Sequence, residues 1–202
     1  MRVKTDERRQ AIMDAAWEAL KANGYERTTM SEISDRVGGS KATLYGYFRS
    51  KEELFTAVLE HVIRERAEAA FQKIDSTGDL SVRLLNFAQA YMEARLAPDM
   101  IAMDRALIAE ADRSDLGAVL LVRFITPQWR RLASVFEQEM AKGRLRRADP
   151  YLAVMHFRGM IEADLVERRL HGDATITPRE TEAAVAAGVD AFLRSYSAER
   201  SS

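Results

Sequence analysis

Two short helical segments parted by a Gly-Gly pair constrain this chain more than any other feature. Thr29-Met30-Ser31-Glu32 has the form of a capping box, in which a hydroxyl takes up an amide at the helix start, and it opens a segment that runs to Val37. Gly38-Gly39 stops that segment, and Ser40 is placed to cap a second short helix through Tyr47. Ser50-Lys51-Glu52-Glu53 is a further capping box, followed by helical periodicity to about Lys73. Helix, tight turn and short helix within about 20 residues is the layout of a helix-turn-helix.

The second short segment, Ser40-Lys41-Ala42-Thr43-Leu44-Tyr45-Gly46-Tyr47-Phe48, fits neither plain core nor plain surface. A buried Lys41 would need a partner for its charge, and exposed aromatics have little reason to be there unless something packs on them. A nucleic acid resolves the conflict. A short helix can enter the major groove, the Ser40 and Thr43 hydroxyls can reach phosphate or base edges, and Lys41 supplies positive charge. Tyrosine rings can rest on the protein while their hydroxyls reach phosphate. The competing reading is a compact three-helix cluster whose tyrosines are packing alone.

Helical periodicity continues through the rest of the 202 residues, with no convincing alternating strand. A first helix is expected over about 5–23, stopped by Asn23-Gly24. Asp75–Asp79 reads as a loop, and five helices should follow it: 80–96, one after Pro98, 115–142 with a kink or break at Pro127, 149–170 opened by Asp149-Pro150, and 177–197 opened by Thr177-Pro178-Arg179-Glu180. The expectation is an all-α chain of about nine helices, with an N-terminal three-helix domain over 1–50 and a helical bundle over 51–202 connected by a fourth helix at about 51–73.

Composition removes several functions. Without cysteine there is no disulfide scaffold, thiolate zinc site or cysteine nucleophile. None of His61, His156 and His171 follows a Glu by three residues, as a di-iron bundle requires, and there is no phosphate loop or Gly-x-Ser-x-Gly, so an all-α enzyme is the remote alternative and no cofactor or metal is expected. No apolar run nears the roughly 18 residues of a membrane helix, and the N-terminus lacks the apolar stretch of a secretion signal, so a cytoplasmic protein is expected. The net charge is −1, but Met1–Lys51 carries ten Lys/Arg against seven Asp/Glu, a slightly basic head on a slightly acidic body.

Thr28–Leu54, "TTMSEISDRVGGSKATLYGYFRSKEEL", resembles the DNA-binding head of the TetR family of bacterial transcriptional regulators, and the likeness covers about residues 8–56. There are departures: Ser34 stands where the family usually has Ala, Gly39 where it has Val, and Ala42 where it has Gly. The resemblance implies phosphate contacts from Thr29, Tyr47 and Lys51, with Thr43 and Tyr45 at the groove, Lys41 and Ala42 near base edges, and Arg36 as a weaker base contact. Leu44 and Phe48 should be core. Position 46, Gly here, often carries a side chain that can face DNA in relatives.

The resemblance also implies a homodimer on a palindromic operator and a cavity for a small, apolar or aromatic effector that releases a repressor from DNA. A ligand-independent DNA-binding dimer is the alternative. The dimer surface is expected from Gly159, Ile161, Leu165 and Val166 with Val185, Gly188, Val189, Phe192 and Tyr196, which form an apolar stripe with small residues for close helix approach. The effector site is expected among Tyr91, Met92, Met103, Leu107, Phe124, Trp129, Phe136, Phe157 and Met160, with His156 and Asp164 as polar points. For both sets the competing reading is ordinary intramolecular core.

Overall fold

The computed structural model describes residues 2–198, with side chains from residue 6 onward. Among the described residues there are eleven α-helices: α1 (Arg2–Arg27), α2 (Met30–Val37), α3 (Lys41–Tyr47), α4 (Lys51–Ile74), α5 (Leu80–Arg95), α6 (Pro98–Glu110), α7 (Leu116–Leu120), α8 (Thr126–Ala141), α9 (Pro150–Glu162), α10 (Leu165–Leu170) and α11 (Pro178–Tyr196). No described helix is long and apolar enough to cross a membrane.

The helix starts follow the capping chemistry. Thr29, Ser40, Asp149 and Thr177 each sit at an N-cap in extended conformation and accept the amide three residues on. Gly24, at φ 77°, breaks α1 at the expected place, and one further turn carries the chain to Arg27. The buried Thr28 hydroxyl closes that corner on the carbonyls of Ala19 and Gly24, at 3.2 and 2.8 Å.

Two expected helices are each divided. The 115–142 segment becomes α7, a π-helical turn over Leu121–Ile125, and α8. Pro127 falls at the start of α8, so the loss of its amide donor is absorbed where no intrahelical bond was due. The 149–170 segment breaks between α9 and α10 at Ala163, whose φ of 46° and ψ of −125° no helix accommodates. Alanine is the best helix former, so nothing in its identity announces the break.

The chain forms two compact units. The first takes the residues up to Arg64 together with Pro98–Leu121; the second takes Glu65–Ala97 and the residues from Val122 on. In the first, α1 packs against α2 and α6, and its core holds Ile12, Ala16, Leu20, Ile33, Leu44, Phe48, Leu54 and Phe55. α6 therefore belongs with the head, whereas the periodicity alone had assigned it to the bundle.

In the second unit, α9 packs against α8 and α11, and α11 also packs against α5. Phe136, Phe157 and Phe192 meet there with ring centroids 5.0–5.7 Å apart, the two Phe157 pairs edge-on. α11 approaches α9 so closely that a Cβ on Gly188 would stand 2.3 Å from the Met160 carbonyl oxygen and 2.9 Å from the Ile161 Cα.

The only buried carboxylate among the described residues is Glu139, 2% exposed, held by the Arg144 guanidinium at 2.8 Å and, more loosely, by Arg83 at 3.4 Å. Hydrogen bonds from Arg144 hold its carboxyl below the usual range against the opposing effect of burial.

Two outcomes follow. Gly188→Ala sets a methyl against backbone that cannot step aside, and should destabilise the protein by about 2–3 kcal/mol, read as a lower midpoint in thermal or urea unfolding. Glu139 has a depressed pKa, so its contribution is complete above the unfolded value of about 4.3 and is lost as pH falls through the folded value. Glu139→Gln should accordingly lower the midpoint at neutral pH and flatten the acid limb of a stability-against-pH curve.

Candidate nucleic-acid interface

The candidate interface is built on the turn between α2 and α3. Gly38 adopts φ 69° and ψ 52°, the left-handed conformation that only glycine enters at little cost, and its amide is taken up by Asp35 O at 3.2 Å. The Gly39 amide reaches Ser34 O at 3.2 Å, and the buried Ser34 hydroxyl donates to Gly39 O at 2.8 Å. Serine at position 34, one of the departures from the family pattern, thus ties the turn by a hydrogen bond.

This turn sets the phase of α3. Leu44 and Phe48 point inward, at 2% and 1% exposure, and each buried side chain of this kind contributes about 1.5–3 kcal/mol. The same phase leaves Ser40, Lys41, Ala42, Thr43 and Tyr45 exposed, with Tyr47 half-buried. Ser40 Oγ accepts the Thr43 amide at 3.1 Å and shares a hydrogen bond with the Thr43 hydroxyl at 2.9 Å, so both hydroxyls are fixed on the exposed face. Lys41 has no carboxylate partner among the described residues. The arrangement is a cationic, hydroxyl-bearing surface on a rigid apolar base, which can donate hydrogen bonds to phosphate oxygens and base edges.

Thr29, Arg36 and Lys51 are placed differently. Thr29 is exposed, and its hydroxyl oxygen accepts the Glu32 amide at 3.2 Å. Arg36 pairs with Glu32 at 2.8 Å, an exposed pair that is readily exchanged for another anion. Lys51 is held within the unit: its ammonium lies 4.2 Å from the Tyr25 ring centroid and donates to Glu26 O at 3.2 Å. Burial lowers its pKa despite Glu110 and Glu26 nearby, and burial, then Glu52 and Glu110, raises that of Tyr25. Arg113, just past α6, adds an ion pair to Glu26 at 3.1 Å.

Comparison with known proteins agrees with this geometry. Residues 12–58 match the family described as bacterial regulatory proteins, tetR family, and residues 82–198 match the AefR-like transcriptional repressor C-terminal domain. The chain belongs to the TetR family. Among solved structures, a TetR-family regulator from Mesorhizobium loti superposes with a TM-score of 0.85 at 27% identity, over 95% of this chain and 98% of that one. The flavonoid-responsive regulator FrrA superposes with a TM-score of 0.77 at 27% identity, over 96% of this chain and all of that one. The transcriptional activator FasR of Mycolicibacterium smegmatis is 37% identical over 92 residues, which is 46% of this chain but only 42% of FasR, so the likeness spans less than half of that relative's length.

The residues that the TetR resemblance assigned to an effector site are distributed over both compact units. Met103 and Leu107 lie on α6 in the first unit, and the other nine lie in the second. Met92, Phe136 and Phe157 are completely buried in the aromatic core, because their own neighbours already fill the space around them. Trp129 is 7% exposed, and Phe124 in the π-helical turn and Met160 are half-buried. His156 and Asp164 are exposed: His156 Nδ1 bonds the Tyr196 hydroxyl at 2.6 Å, and Asp164 stands 3.8 Å from Arg168.

One polar cluster escaped the sequence reading. The Tyr91 hydroxyl donates to Glu162, Arg158 Nε donates to the same carboxylate oxygen at 2.8 Å, and the Arg158 guanidinium lies 5.2 Å from the Trp129 ring centroid. Burial, then the charge of Glu162, pushes the Tyr91 hydroxyl far above its ordinary value, so it stays protonated. The only sequence signal was Arg158 and Glu162 at i, i+4 spacing.

Of the residues assigned to the dimer surface, all but Gly159 are buried within the second unit. Val185, Val189, Phe192 and Tyr196 are between 0% and 4% exposed, Ile161, Leu165 and Val166 are buried, and Gly188 is spent on the contact with α9. Of that set Gly159 alone is exposed, with nothing near its Cα face. The apolar stripe of α11 is satisfied internally.

Lys41 and Lys51 should separate in a stability measurement. Lys41→Ala should leave the unfolding free energy within about 0.5 kcal/mol of wild type, whereas Lys51→Ala, losing both the ring contact and the carbonyl bond, should cost about 1 kcal/mol.

Proposed function

We propose that this protein is a sequence-specific DNA-binding regulator of transcription, a homodimeric repressor released from a palindromic operator by a small apolar or aromatic effector. The observation that carries the reading is the exposed face of α3, where Lys41, Ala42, Thr43 and Tyr45 stand outward on a helix locked by Leu44 and Phe48. A helix presented this way fits the major groove, and two of them on a two-fold dimer would read half-sites about 34–36 Å apart.

A dimer has a surface available. Opposite its buried stripe, α11 exposes Ala183, Ala186, Ala187 and Asp190, and α9 exposes Leu152, His156 and Gly159. Small residues on both helices permit close approach of a second pair, as in a four-helix interface. The pairing uses the faces turned away from the core, which share Gly159 with the set expected from the sequence and otherwise differ from it.

Two relatives bear on the regulatory sense. FrrA is described as flavonoid-responsive, which favours an aromatic effector; the cluster of Tyr91, Trp129, Arg158 and Glu162 in the second unit has aromatic and polar groups of matching chemistry. Release would follow from an effector that binds the DNA-incompetent state more tightly; equal affinity for both states would change nothing. FasR is described as an activator, so activation is the second reading.

An electrophoretic shift with DNA from upstream of the protein's own gene tests the proposal. The expected result is a competitor-resistant complex of two protomers per duplex, dissolved by a flavonoid or related aromatic that also raises the melting temperature of the free protein. Absence of any sequence-specific shift at low salt, from folded protein, would sink it. An in vitro transcription reaction on the bound duplex decides between repression and activation.

A further inference from the structure

Gly39 departs from the family pattern, and its backbone gives no reason for it. Unlike Gly38 it does not have a positive φ, so an L side chain would be conformationally acceptable. What occupies the space is Arg8. A Cβ on Gly39 would stand 2.5 Å from Arg8 Nη2 and 3.7 Å from its Cζ, and Nη2 donates to Gly38 O at 3.3 Å. The missing side chain is a notch, and a guanidinium from the first turns of α1 fills it.

That placement matters because of what surrounds it. Gly38, Gly39, Ser40, Lys41, Ala42 and Thr43 are all exposed, and Arg8 lies on this strip at the entrance to α3. Among the described residues Arg8 has no carboxylate partner; its recorded contact is to a carbonyl. Its neighbour Arg9 is likewise held by neutral groups, 5.0 Å from the Phe48 ring centroid and 3.3 Å from Met13 Sδ. A guanidinium anchored by neutral partners keeps its full charge for another anion, and it reaches that anion without first ordering a long side chain.

We propose that Arg8 is a further DNA-contacting residue, seated on the turn before α3 by the absence of a side chain at Gly39 and bound there to a phosphate of the duplex. The assignment rests on the DNA-binding reading above. It gives the two departures at the turn one physical account: Ser34 ties the loop by its hydroxyl where apolar packing is absent, and Gly39 vacates the space for a cation. The head thereby regains a backbone contact that Lys51, engaged with Tyr25 and Glu26, is poorly placed to give.

The test is the salt dependence of binding by the full chain to a duplex that the wild-type protein enriches from a random library. Arg8→Gln retains a donor for Gly38 O but loses the charge, and should lower the slope of log K against log salt by about 0.9 per protomer, while Arg8→Lys retains the slope. Gly39→Ala meets only the flexible end of Arg8, so it should displace the guanidinium, lower the slope equally, and add nothing when combined with Arg8→Gln. Melting midpoints confirm that each variant is folded. A merely structural tie predicts an unchanged slope for Arg8→Gln, and that result overturns the proposal. A lowered slope for Arg8→Gln with a wild-type slope for Gly39→Ala overturns the seating by the notch. Failure of the wild type to enrich any duplex would instead defeat the DNA-binding reading itself.

Discussion

The head depends on one residue in the left-handed conformation. Gly38 reverses the chain between α2 and α3, and the hydrogen bonds that close the turn leave α3 a single rotational setting. With a period of about 3.6 residues per turn, a shift of one position would swing Leu44 or Phe48 toward water and bring Lys41 or Thr43 toward the core. The burial of two apolar side chains therefore fixes which polar groups face out. Everything proposed for the recognition surface, including the place of Arg8, is downstream of that setting.

In the second unit the governing constraint is the close approach of α11 to α9 at Gly188. With no Cβ in the way, the two backbones come near enough for Phe157 and Phe192 to interlock with Phe136, and the whole apolar stripe of α11 is consumed within the subunit. The same close approach turns the alanine-rich side of α11 outward. The face that α11 leaves outward is thus a consequence of internal packing.

Much of the architecture was legible in the chain. Capping residues mark real helix starts at Thr29, Ser40, Asp149 and Thr177, because a hydroxyl or carboxylate three residues from an orphan amide is a local device that needs no tertiary partner. The breaks were less visible. Pro127 announced an interruption, but its form as a π-helical turn over Leu121–Ile125 was not written there, and Ala163 ends α9 with no local cue at all. The candidate interface was legible in its residue types and less so in their engagements: Arg36 pairs with Glu32 one turn earlier on α2, a local spacing, whereas Lys51 lies over Tyr25, a contact that requires α1 and α4 to be in place.

The sequence by itself determined an all-helical chain and a helix-turn-helix at 30–47, since caps, glycine turns and periodicity act over a few residues, and its motif at 28–54 carried the resemblance to the TetR family. Only the tertiary structure decided which face of each apolar stripe is spent inside. An amphipathic helix specifies that one side must leave water and does not specify what will cover it. For α11 the cover is α9 and α5; for Gly39 the neighbour is an arginine about thirty positions earlier in the chain, beyond the reach of any local pattern.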